Sequence, residues 1–239
     1  MTPLIEVCTH CWHYDRLLCY HLSAFTLFPP KECCVRVTVC YCEEDEPTVA
    51  VLDFFGRKSP PNVEWNWRPM QKERLLRRGI GRNEVALTTE ADYLMFSDAD
   101  YLLGEGMIDA FVLQVRARQH EKLWYPRIIR ASDHEHGDAA IESVSSPQEI
   151  WIEPKRYRRL KLYRAIGGAQ YIPRRIANEF GYCKRSRRYQ KPSSFWRRTF
   201  EDTRYRKTIG VSRGVGLPFP SVFRIRHSRR GRDHPEIRL

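Results

Sequence analysis

Two aspartates spaced i and i+2 close an apolar run, Tyr93-Leu-Met-Phe-Ser-Asp98-Ala-Asp100. Carboxylates so placed at the end of a buried strand converge on one hard divalent cation, Mn²⁺ or Mg²⁺, and such an ion bridges a diphosphate. The turn Gly104-Glu-Gly106 follows directly. A second acidic group, Glu43–Glu46, ends the β-branched run Val35-Arg-Val37-Thr-Val39. Cys8, His10, Cys11 and His13 are metal-ligand types crowded into six residues, and Cys33, Cys34, Cys40 and Cys42 follow. Only Cys8 and Cys11 have the two-residue gap of a zinc ribbon, and no second such pair answers them. The cysteines are therefore expected to be buried thiols that pack as small hydrophobes.

The elements that must hold these groups alternate. Strands are expected at Leu4–Thr9, Cys34–Cys42, Asn62–Trp67, Tyr93–Ser97, Leu123–Arg130 and Pro218–Ile225. Helices are expected at Arg16–Phe28, stopped by Pro29-Pro30, and at Lys72–Thr89, Met107–His120, Ile172–Phe180 and Phe200–Ile209. Thr48–Phe54 is apolar but of no clear period, and 131–148 reads as a polar loop. Alternating strands and helices imply a mostly parallel central sheet with helices on both faces. Ligands of such sheets bind at strand carboxyl ends, where both acidic groups fall.

Several of these stretches together resemble family-2-type glycosyltransferases of the GT-A fold, over roughly residues 4–210. The opening strand, polar turn and helix of Leu4–Phe28 match that pattern, as do Arg82-Asn83 on a helix before the metal strand and the segment Ala91–Asp100. Gly167-Gly168-Ala169 before Ile172-Pro-Arg-Arg resembles the acceptor-side glycine turn, and Glu201-Asp202 the later acidic pair. The departures are Cys42-Glu-Glu-Asp-Glu46, where the family carries an Asp-Asp-Gly-Ser-like turn, and the polar turn Thr9–Tyr14. The resemblance implies a nucleotide-diphosphosugar transferase fold. It implies a UDP-sugar donor held by Thr9, Glu43, Arg82, Asn83, Asp98 and Gly168. Mn²⁺ or Mg²⁺ would sit on Asp98, Asp100 and His227, with Asp202 or Glu201 as catalytic base and inversion at the anomeric carbon. His234, and more weakly His134 and His136, are other candidate imidazoles. Glu201-Asp202 would equally suit a helix N-terminus, where the helix dipole favours acidic side chains.

Charge divides the 239-residue chain. Residues 1–150 carry 16 Lys+Arg against 23 Asp+Glu, and residues 151–239 carry 25 against 6. One domain is expected, with a donor and metal half at 1–130 and a basic acceptor half at 150–239. Arg156, Arg158, Arg159, Lys161 and Arg164 interleave with Tyr157 and Tyr163, and a second such stretch spans 185–198. Arginine among aromatics suits nucleic acid, so the expected acceptor is a hydroxylated base in DNA or RNA. A glycan, lipid or protein acceptor, or contact with an acidic membrane surface, remains open. A nucleotidyltransferase and a non-catalytic nucleic-acid-binding module are the competing classes. No apolar run approaches the roughly 20 residues a bilayer requires. Glu6 and His10 interrupt any N-terminal secretory pattern, so a cytoplasmic location is expected.

Overall fold

The computed structural model describes residues 2–182 and 201–228. Short runs rich in β-branched, aromatic and other apolar residues build four parallel strands that end at one edge of the main sheet. These are β1 (Leu4–His10), β2 (Cys34–Tyr41), β3 (Val63–Pro69) and β4 (Tyr93–Ser97). β1 pairs with β2 from Leu4↔Cys34 to His10↔Cys40, and with β4 from Ile5↔Tyr93 to Cys8↔Phe96. Side chains of neighbouring residues point to opposite faces. Ile5, Val7 and Met95 accordingly join one core, and Cys8, Leu94 and Phe96 join the other.

Helices cover both faces. The first core takes Leu18 and Phe25 of α1 (Asp15–Leu27), Val51 and Phe55 of α2 (Glu46–Gly56), and Phe111 and Val115 of α5 (Met107–Arg116). The second takes Val85 and Ala86 of α4 (Arg78–Thr88), Ile176 and Ala177 of α7 (Arg174–Phe180), and Tyr205 of α8 (Glu201–Thr208). The short helix α3 (Lys72–Leu75) precedes α4, and the two replace the single helix expected over Lys72–Thr89.

The full sheet has seven strands, ordered β10-β6-β9-β4-β1-β2-β3, with β6 (Trp124–Pro126), β9 (Ala169–Pro173) and β10 (Val215–Leu217). β9 runs antiparallel to β4 and β6, so one strand of the later half is inserted between strands of the first. A second sheet has the order β5-β11-β7-β8, from β5 (Tyr101–Leu103), β7 (Ile128–Ala131), β8 (Arg158–Lys161) and β11 (Val222–Arg224).

Four expectations change. The run expected as one strand over Leu123–Arg130 breaks at Arg127, whose N–H and C=O bond Leu217 and Leu162, and its halves enter different sheets. Ile172-Pro173 completes β9, and its helix starts at Arg174. The expected loop at 131–148 contains α6 (His134–Glu142), because Asp133 caps it by accepting from His136 N at 2.8 Å. Thr48–Phe54 is helical, within α2.

Phe111 meets the rings of Tyr93, Tyr171 and Phe219 at 5.4, 5.5 and 5.9 Å. Phe111→Ala is expected to cost about 3–5 kcal/mol. Urea unfolding reads this as a lower midpoint at unchanged slope. An unchanged midpoint would contradict the packing.

Candidate functional site

The Asp98-Ala-Asp100 turn lies between the end of β4 and the start of β5, closed by Tyr101 N donating to Asp98 O at 2.9 Å. β11 runs antiparallel to β5, and Ile225 N donates to the Asp100 carbonyl at 2.9 Å. That register sets Arg224 opposite Tyr101, and its Nε donates to Asp100 Oδ2 at 2.9 Å. The guanidinium also lies 5.2 Å from the Tyr101 ring centroid.

Asp98 is held from the other side. Arg82 Nη2 reaches its Oδ1 at 2.7 Å and Arg78 Nη1 at 3.1 Å. Arg82 is 1% exposed. Its guanidinium lies 5.5 Å from the ring centroid of Phe96 and 5.4 Å from that of Tyr182, two rings that themselves meet edge to face, and its Nη1 donates to Gly167 O at 2.8 Å and to Tyr182 Oη at 3.2 Å. Gly168 is needed beside them. A Cβ there would stand 2.6 Å from the Tyr101 ring and 2.9 Å from Asp98 Oδ2.

The two carboxyls titrate apart. Burial lifts Asp98, but Arg78, Arg82 and Arg224 outweigh it and hold the group at about 2. Burial raises Asp100 above the ordinary carboxyl value, and the Asp98 charge adds to the rise against the opposing pull of Arg224. Separated environments of this kind mark a site where charge is managed.

Other expected residues fall nearby or elsewhere. Thr9 is fully buried, and its hydroxyl has no hydrogen-bond partner among the described residues. Glu43 and Glu44 are exposed in the turn after β2. The buried acid of that turn is Asp45, whose Oδ2 accepts from His13 N at 2.8 Å and Thr48 Oγ1 at 2.7 Å. Asn83 Oδ1 accepts from Tyr182 N at 3.0 Å, which makes it a brace for the turn after α7. His227 follows β11. Its ring lies 5.5 Å from that of Tyr14, and its Nδ1 is buried with no hydrogen-bond partner among the described residues. Glu201 and Asp202 open α8. His136 is held by Asp133 at 2.8 Å, and His134 is exposed. His234 and the basic stretch 185–198 lie outside the described residues.

Sequence reasoning missed Arg78, Arg224 and Asp45. Arg224 is 124 residues from its carboxylate, and only the β11–β5 pairing brings them together. Asp45 carried a local signal, since it precedes Glu46-Pro47 at a helix start. The expectation of buried thiols agrees with the described cysteines: seven are free, with Cys34 alone partly exposed. The crowded Cys8–His13 run is split by the pleat. Cys8 enters the second core, whereas Cys11 enters the first and contacts Thr48 Oγ1 at 3.2 Å.

No protein-family model matches the chain, and no curated protein matches it by sequence. Solved structures share its architecture. The crystal structure of S. aureus TarS 1-349 superimposes with a TM-score of 0.58 at 11% identity, covering 94% of this chain and 60% of that one. The same TarS fragment in complex with UDP gives 0.58 at 11%, covering 93% and 60%. The mannosyltransferase PcManGT from Pyrobaculum calidifontis, in complex with GDP-Man and Mn²⁺, gives 0.58 at 12%, covering 96% and 59%. This chain therefore spans about three fifths of the length of those chains. At such identities the likeness is one of fold, and the fold is the mixed α/β architecture of these GT-A-like glycosyltransferase structures.

The Arg82–Asp98 contact makes two predictions. Arg82→Met leaves a carboxylate without its buried partner and is expected to cost about 3–5 kcal/mol. Adding Asp98→Asn recovers part of that loss in a double-mutant cycle, whereas strictly additive losses would contradict the coupling. Asp98 is depressed in the folded state, so its stabilisation is present above the ordinary value of 3.8 and is lost as pH falls through about 2. Asp98→Asn is expected to flatten stability against pH in that window.

Proposed function

We propose that the chain is a metal-dependent glycosyltransferase that moves a sugar from a nucleotide-diphosphate donor, UDP-linked by preference, to a hydroxyl acceptor. The observation that carries this reading is the Asp98/Asp100 turn at the strand edge, with three arginines around it on a glycosyltransferase fold. Arg78 and Arg224 keep about half and a third of their side chains exposed. They are therefore able to meet the oxygens of a diphosphate as forked donors.

The donor types at this turn are those of a hard cation, although Asp98, Asp100 and His227 do not all come within 4.8 Å of one another. Asp100 offers carboxylate oxygen, and His227 offers a buried ring nitrogen with no hydrogen-bond partner among the described residues. Carboxylate oxygen suits Mn²⁺ or Mg²⁺, and an added imidazole favours Mn²⁺ of the two. Asp100 and His227 would hold the ion, with Asp98 as the second carboxylate of the pair. When bound, the ion supplies positive charge against the departing diphosphate. The protein's own part is to orient the donor and move one proton. The acceptor oxygen bonds the anomeric carbon while the bond from that carbon to the diphosphate breaks. The acceptor's proton passes to Asp202, or to Glu201 as the alternative, and a single displacement inverts the centre.

The finer reading of the acceptor is a hydroxylated base in nucleic acid. Its support is β8, an edge strand on which Arg158, Arg159 and Lys161 are all exposed, followed by Tyr163 at 70% exposure. Cations beside an exposed ring match a backbone and a stacked base. The competing class, a nucleotidyltransferase, would use the same paired carboxylates on a nucleoside triphosphate.

UDP with Mn²⁺ is expected to raise the melting temperature, because it binds only the native state. Asp100→Asn removes the Mn²⁺ part of that rise. Asp202→Asn is expected to lower kcat about 10²–10⁴-fold with donor binding kept. A rise that ignores both Mn²⁺ and Asp100 would rule out the site assignment.

A further inference from the structure

A second group of ligand atoms, with different chemistry, lies behind the diphosphate edge. Cys8 Sγ, a ring nitrogen of His10 and Cys40 Sγ are all within 4.8 Å of one another. The β1–β2 pairing causes this, because His10 stands opposite Cys40 and Cys8 shares its pleat face. Both cysteines are fully buried. Both His10 ring nitrogens are buried with no hydrogen-bond partner among the described residues. A buried imidazole left so is costly.

Gly81 of α4 marks the same spot. A Cβ there would collide with His10 Nε2 and would stand 3.0 Å from Met70 Sδ and 3.1 Å from Cys40 Sγ. Imidazole, thioether and thiol therefore crowd against the backbone of α4 at Gly81. Glycine inside a helix costs about 1 kcal/mol relative to alanine, and here its missing side chain makes room for the three donor atoms.

We propose that Cys8, His10 and Cys40 form a binding site for a thiophilic d¹⁰ cation, Zn²⁺ or Cu⁺, with Met70 Sδ as the fourth donor. Two thiolates with one imidazole and a thioether form a soft donor set, unlike the carboxylate pair at Asp98 and Asp100. Binding takes both sulfurs as thiolates, so any proton held between them passes to solvent. It would also fasten β1 and β2 to the helix turn that carries Arg82, one residue after Gly81. The site is independent of the proposed transfer reaction and stands if that reading fails.

The test uses the full chain, stripped with a chelator under reducing conditions and titrated with Co²⁺ as a coloured substitute. One equivalent is expected to produce sulfur-to-cobalt charge-transfer absorption and the visible bands of a tetrahedral ion. Zn²⁺ is expected to bleach both and raise the melting temperature. In a separate arm, Cu⁺ should be withdrawn from a coloured copper(I) chelator, and the arm with the tighter retention identifies the ion. Cys40→Ser and Cys8→Ser should lose the charge-transfer band, and Asp98→Asn should keep it. Gly81→Ala fills the opening without removing a ligand and should weaken Co²⁺ binding. A wild-type protein with no charge-transfer band overturns the proposal without recourse to any variant. A band that survives Cys40→Ser overturns it as well.

Discussion

A guanidinium buried to 1% exposure cannot be held in a protein without compensation, and Arg82 finds it in Asp98. That one pair ties together four separate pieces of chain. Arg82 comes from α4 and Asp98 from the end of β4, while Gly167 and Tyr182 supply the remaining acceptors from before β9 and after α7. Desolvating the guanidinium alone costs several kcal/mol, so the pair favours the arrangement that brings the four pieces together. Gly168 and Asn83 follow from the same requirement. One lets Tyr101 and Asp98 approach, and the other fixes the backbone N–H of Tyr182.

The consequence for chemistry is a division of labour between two neighbouring carboxylates. Both arginines that meet Asp98 fall on Oδ1, and they keep it ionised. Asp100 is more enclosed, faces Arg224 and is pushed up by burial. In the proposed reaction the two partly exposed arginines, Arg78 and Arg224, would turn from carboxylate to phosphate oxygen, while buried Arg82 keeps its place on Asp98. The carboxyl ends of β1, β2 and β4 are where ligands of such sheets bind.

Local chemistry was legible in the chain, and long-range pairing was not. The Tyr93–Asp100 run announced a buried strand ending in two acids because both features are contiguous. The periodicities of β1, β2, α1 and α5 were readable for the same reason, since each buries a repeating face. Arg224 gave no signal, because its role depends on β11 pairing with β5 across more than a hundred residues. The run Leu123–Arg130 reads as one strand, since nothing local shows that its halves serve different sheets. Asp133 did carry a capping signal, but the polar helix behind it has a composition close to that of a loop. The cysteines show the limit most directly. Linear crowding pointed to Cys8, His10, Cys11 and His13, whereas the pleat selects Cys8, His10 and Cys40 from two strands.

The central claim is transfer from a nucleotide sugar at the Asp98/Asp100 edge, and the phosphorus product tests it most directly. Phosphorus NMR should be recorded on the protein with Mn²⁺, donor and acceptor. The account predicts nucleoside diphosphate released from a nucleotide sugar, one for each sugar transferred, and none from the Asp100→Asn protein. Pyrophosphate released from a nucleoside triphosphate, with nucleotide sugars left intact, would contradict it.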